Sequence, residues 1–76
     1  MARIKLIWDF RNKDAEQIAT HHVKHLEEYL STKKIENSNA GVEMISEDHW
    51  IGFIETDKSR MIELRDALKP QRGQLI

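Results

Sequence analysis

Two histidines and a glutamate are spaced so that they could share an ion. His21 and His25 stand four residues apart, and Glu28 follows His25 by three. On a helix all three side chains project from one ridge. Two imidazoles and a carboxylate are a reasonable ligand set for zinc or another divalent metal. The same spacing also describes an ordinary solvated flank. Structural zinc takes four protein ligands and catalytic zinc three, and the chain contains no cysteine to supply one. The residues between the two histidines are His22, Val23 and Lys24. No glutamate base is therefore placed as the H-E-x-x-H metalloprotease arrangement requires. No cofactor is expected unless this ridge takes a metal.

A second cluster gathers where a first strand ends and a hairpin turns. Asp9 and Arg11 come from the strand, and Asp48 and His49 from the turn. A carboxylate–histidine pair of Asp9 and His49 could do general acid–base work if a pocket stood beside it. Without one, the group is a polar rim whose aspartates cap turns. No serine or threonine occupies a recognisable nucleophile setting, and three scattered glycines make no phosphate loop. No catalytic residue is assigned, and the balance leans away from an enzyme.

The elements that must position these groups are legible from periodicity. Arg3 to Phe10 alternates, with Ile4, Leu6, Trp8 and Phe10 on one side and Arg3, Lys5, Ile7 and Asp9 on the other. After the polar turn Arg11–Asp14, residues 15–30 form an amphipathic helix. Its apolar stripe holds Ala15, Ile18, Ala19, His22, Val23, Leu26, Tyr29 and Leu30. His22 in that stripe reads as a neutral, hydrogen-bonded histidine at the helix–sheet interface. Residues 31–40 read as a flexible polar loop. Residues 42–46 and 50–55 read as two strands of a hairpin turning at Glu47–His49, with Gly52 marking a bulge or a close backbone approach. Thr56, Asp57 or Ser59 caps a second helix, which Pro70 ends. Residues 71–76 either fray or lend Gln74, Leu75 and Ile76 to a short fourth strand.

Composition bounds the rest. The 76 residues suffice for one domain, and 12 Lys plus Arg against 13 Asp plus Glu give a net charge of -1. Nucleic-acid binding normally needs a basic footprint, so no such partner is expected. Gly52-Phe53-Ile54 echoes the RNA-recognition sheet signature only in part: Ile51 replaces its basic residue and Glu55 its second aromatic. No apolar run approaches the roughly 20 residues of a membrane helix. The first residues lack a signal peptide's apolar segment. With no cysteine, a cytoplasmic location is expected.

The order β-α-β-β-α, with or without a last strand, fits an α+β fold of the ferredoxin-like plan. The first crossover joins parallel strands, and the third strand lies between them in the order 1-3-2. Both helices then cover one face. The other face carries Ile7 together with one of two alternating pairs, Trp50 and Ile54 or, in the inverted register, Ile51 and Phe53. An uncovered face of large apolar groups is expected to bind a partner or a second copy of the chain. The interaction face is accordingly Ile7, Trp50 and Ile54, and a homodimer is expected. The run from KLIWDF through HHVKHLEEY to GFIETD resembles a short uncharacterised bacterial protein with a ferredoxin-like βαββα domain. That resemblance implies a fold and brings no catalytic residues or cofactor with it.

Overall fold

The computed structural model describes residues 2–76 and shows an α+β chain, a four-stranded antiparallel sheet carrying two helices. The elements run β1 (Arg3–Arg11), α1 (Ala15–Thr32), β2 (Asn39–Ser46), β3 (His49–Asp57), a 3-10 turn at Lys58–Arg60, α2 (Met61–Leu68) and β4 (Arg72–Leu75). Their order across the sheet is β2-β3-β1-β4. β3 thus lies between β1 and β2, and the chain's last residues form an edge strand. β4 pairs with β1 from Ile4↔Leu75 to Ile7↔Arg72, starting two residues earlier than the apolar end of the sequence suggests.

The core follows from strand alternation. Ile4, Leu6 and Trp8 of β1 meet Ile54 of β3, Val23, Leu26 and Leu30 of α1 and Leu64 of α2 in one buried cluster. Both helices therefore pack on the same sheet face. Gly52 stands opposite Trp8 in β1 and Val42 in β2, where α1 packs close on the sheet. A Cβ there would stand 3.0 Å from the Val23 methyl. The glycine marks a close approach, and the irregularity in the hairpin falls instead between Met44 and Ser46. This seating turns α1 slightly from the expected stripe. Ala15, Ala19, Val23, Leu26 and Leu30 are buried, while Ile18 is left 41% exposed.

The helix ends hold the connections in place. The Asn12 carboxamide oxygen accepts a hydrogen bond from the Asp14 N–H at 2.7 Å, and so forms the turn into α1. α1 ends in a Schellman motif. The Ile35 N–H donates to Leu30 O at 3.0 Å and the Lys34 N–H to Ser31 O at 3.1 Å, with Lys34 in the left-handed region at φ 53°. Ile35 then drops into the core beside Leu30. The segment expected as a flexible loop over 31–40 is thus helix at its start and strand at its end, and residues 33–38 between them are tied down by Ile35. On the other helix, the Trp8 indole N–H donates to the Leu68 carbonyl at 3.2 Å and satisfies a C-terminal group of α2. Thr56, fully buried, is satisfied by the Ser38 hydroxyl at 2.7 Å.

Candidate functional site

α1 brings His21 and His25 together. Their Nε2 atoms are 3.2 Å apart, and the rings meet edge to face with centroids 4.8 Å apart. Glu28 does not converge on the same point. Its carboxylate faces the opposite nitrogen of His25, with Oε2 3.9 Å from Nδ1. No group of three or more His, Cys, Asp or Glu among the described residues is arranged to hold a metal ion. The ridge is thus a converging pair of imidazoles with a carboxylate behind one of them.

His22, between them in sequence, turns inward. Its ring packs against Trp8 and Phe10 at centroid distances of 5.2 and 5.4 Å. The expected hydrogen bond is missing, because Nε2 is buried among apolar and aromatic groups without a partner. Burial, reinforced by His25 and His21 nearby, pushes its pKa below the usual histidine value. His22 belongs to the core side of the helix and not to the ridge.

The helix-free face of the sheet is built differently from the expectation. The register Ile7↔Phe53 and Asp9↔Ile51 puts Ile7 with Ile51 and Phe53. Of the interaction face Ile7, Trp50 and Ile54, only Ile7 stands there. Ile54 pairs with Leu6 inside the core, and Trp50 pairs with Phe10 on the helix side. Nor is this face an open apolar patch, because Ile7 is only 1% exposed and Ile51 only 3%. The charged side chains on this face are paired with one another and with Phe53. The Lys5 ammonium sits 4.3 Å above the Phe53 ring and bonds to Glu43 at 3.2 Å. Phe53 in turn lies across Gly41, where a Cβ would stand 2.9 Å from the ring.

The second such pairing is the cluster at the hairpin end. His49 stands opposite Arg11, so the turn lies where β1 finishes. The His49 Nε2–H donates to Asp9 Oδ1 at 2.8 Å, and Arg72 grips both carboxylate oxygens at 3.0 and 3.1 Å. The Gln71 side-chain oxygen accepts from the Asp9 backbone N–H at 3.0 Å. The Asp9 and His49 side chains are largely buried, and half of the Arg72 side chain is in water. The Arg72 hydrogen bonds, helped by His49 and opposed by burial, lower the Asp9 pKa from 3.8 to about 2. This is a fixed ionic clasp across β3, β1 and β4. Sequence reasoning paired Asp9 with His49 but missed Arg72, which only the register of β4 brings within reach. Surface clefts among the described residues are lined by Arg3, Asn37, Ser38, Asn39 and Asp57, by Glu16, Gln17, Thr20, His21 and Lys24, and by Met61, Arg65 and Arg72 with their neighbours. None of these has Asp9 or His49 in its wall.

Among the described residues, the exposed large apolar side chains lie on both sheet edges and on the helices, with Ile62 of α2 58% and Leu75 of β4 65% exposed. On β2, Val42 is 37% exposed, Met44 59% and Ile45 49%. Val42 and Met44 stand on the helix side, opposite Gly52 and Trp50. β2 has an eight-residue edge, NAGVEMIS, with no proline or lysine. Its single charge, Glu43, is bonded inward to Lys5. The opposite edge, β4, is only four residues long and begins with Arg72. No helix among the described residues is long and apolar enough to cross a membrane. Compared with known protein families, curated proteins and solved structures, the chain matches none.

Proposed function

We propose that this protein is a non-enzymatic assembly module of the ferredoxin-like plan. In this reading it works in the cytoplasm as a homodimer, joined by the β2 edge of one copy against the β2 edge of another. The observation that carries the reading is the unguarded state of that edge. Sheet proteins protect free edges with charged side chains, above all lysine, with proline, short strands or bulges. From Asn39 to Met44, β2 has only Glu43, whose charge is paired with Lys5 of β1, and its one irregularity falls after Met44. Antiparallel pairing of two β2 strands about a twofold axis would satisfy both rows of free backbone groups with the same surface on each copy. It would also bring the two α1 helices side by side above the join and cover Val42 and Met44. The helix-free face supports the choice of the edge, since Ile7 and Ile51 on it are already buried within the single chain.

Sedimentation velocity on two variants tests this. The wild-type chain is expected to shift from monomer to dimer as concentration rises into the high micromolar range. Met44→Lys places a charge on the proposed join and is expected to hold the chain monomeric. Leu75→Lys on the other edge should leave the equilibrium alone. A wild-type chain that stays monomeric throughout, or a dimer that survives Met44→Lys and dissolves with Leu75→Lys, would overturn the reading.

A further inference from the structure

The His21–His25 pair is a separate feature, and it does not rest on edge pairing. At 100° per residue both histidines fall on the flank of α1 next to His22, which faces Trp8 and Phe10 of β1. The proposed join lies beyond β2, on the helix's other side. We propose that His21 and His25 form a two-imidazole site for a single zinc-class divalent ion within one chain, with water completing the coordination.

The first argument is distance. Zinc–nitrogen bonds of about 2.0–2.1 Å at a tetrahedral angle place two ligand nitrogens about 3.3–3.4 Å apart. A right-angled arrangement would need about 2.9 Å at the same bond length. The two Nε2 atoms share a hydrogen bond in the metal-free pair, and their 3.2 Å separation is closer to the tetrahedral span, so an ion would replace that hydrogen with little change in spacing.

The second argument concerns the hydrogen that each neutral imidazole carries. A histidine ligates through the nitrogen that has no hydrogen, and the partner of its other nitrogen decides which one that is. Glu28 lies 3.9 Å from His25 Nδ1. Its negative charge favours the hydrogen on Nδ1, which leaves the Nε2 lone pair of His25 free on the side facing His21. For both Nε2 atoms to face one ion, the hydrogen that His21 donates to His25 must then move to the other nitrogen of its ring. Glu28 acts on the far nitrogen and is not a ligand. The rings are open to approach: the His25 side chain is 62% exposed, and His21 forms part of the wall of the groove along α1. Imidazole nitrogens suit zinc, whereas magnesium prefers oxygen.

The test is titration of the full chain with zinc chloride, followed by calorimetry and by ¹⁵N–¹H correlation spectra, with magnesium chloride as the control. One zinc per chain is expected, with shifts centred on His21 and His25, no response to magnesium and unchanged sedimentation. His21→Ala and His25→Ala are each expected to lose the binding. Glu28→Gln should weaken it only a few-fold, less than the ~10–100-fold typical of a bonded outer partner, because it sits beyond hydrogen-bond distance. All three positions are on the helix surface, and unchanged spectra elsewhere would show that the variants fold. Zinc binding that persists in either histidine variant would overturn the site. So would a stoichiometry of one ion per two chains, or a Glu28→Gln loss as large as that of the histidine variants.

Discussion

Asp9→Asn is the most informative single substitution for the fold. It keeps the shape of the side chain and removes the charge that Arg72 and His49 hold. The carboxyl pKa falls from 3.8 to about 2 in the folded chain. At about 1.4 kcal/mol per pH unit, that gap corresponds to roughly 2.5 kcal/mol of stability. Arg72 leaves half its side chain in water, and solvent screening brings the expected value to roughly 1–2 kcal/mol. The sign follows from which state binds the proton first. The unfolded carboxyl protonates near 3.8 and the folded one only near 2, so acid favours the unfolded chain. The contribution is fully present above the unfolded value and is lost as the pH falls through the folded one. Urea unfolding of wild type and Asp9→Asn across a pH series isolates it, since every other carboxyl is common to both proteins. The difference should be about 1–2 kcal/mol at neutral pH and nearly constant down to about pH 4.5. It should then shrink to a small remainder near pH 2 and vanish below it. A difference below about 0.5 kcal/mol at neutral pH, or one that persists undiminished at pH 2, would refute the clasp as a stabilising ion pair.

Two further outcomes test the packing. Gly52→Ala is expected to cost about 1–2 kcal/mol in urea or thermal unfolding, because its methyl group would press on Val23. Adding Val23→Ala should recover part of that cost, and strict additivity of the two changes would count against the close approach. Lys34→Gly is expected to raise stability by roughly 0.5 kcal/mol in the same assay, since Lys34 holds φ 53° at the end of α1. A loss of stability there would mean that the Lys34 side chain makes a contribution of its own.

The local elements were legible because each carries its own period or punctuation. Alternation marked β1, the 3.6-residue stripe marked α1, and Glu47-Asp48 between two short apolar runs marked the hairpin. Gly52 signalled either a bulge or a close approach, and only the packing of Val23 against it makes it the second. What stayed hidden was set by contacts distant in sequence. β3 is apolar on both sides, so its own residues could not say whether Ile54 or Phe53 faces the helices. The register with β1 decides that, putting Ile54 opposite Leu6. Ile35 sits in a run that looks like polar loop, and its burial comes from the Schellman turn that aims it inward. The clasp on Asp9 depends on Arg72, which lies 63 residues away in the chain. Its strand, Arg72–Leu75, is too short to show a period. Of the candidate site, the pairing of His21 with His25 followed from helical spacing alone. The turn of Glu28 toward the far side of His25 depends on side-chain conformation, which spacing does not specify.

The central claim is that the β2 edge is where two copies join. Amide hydrogen exchange of assigned β2 resonances, followed across a concentration series, tests it most directly. Half of the β2 amides bond inward to β3 and the other half point out from the edge. The account predicts that protection of the outward amides between Asn39 and Met44 rises with concentration, while the free amides of β4 exchange at a constant rate. Exchange from the β2 edge that stays fast and independent of concentration, in a chain whose central strands remain protected, would contradict it.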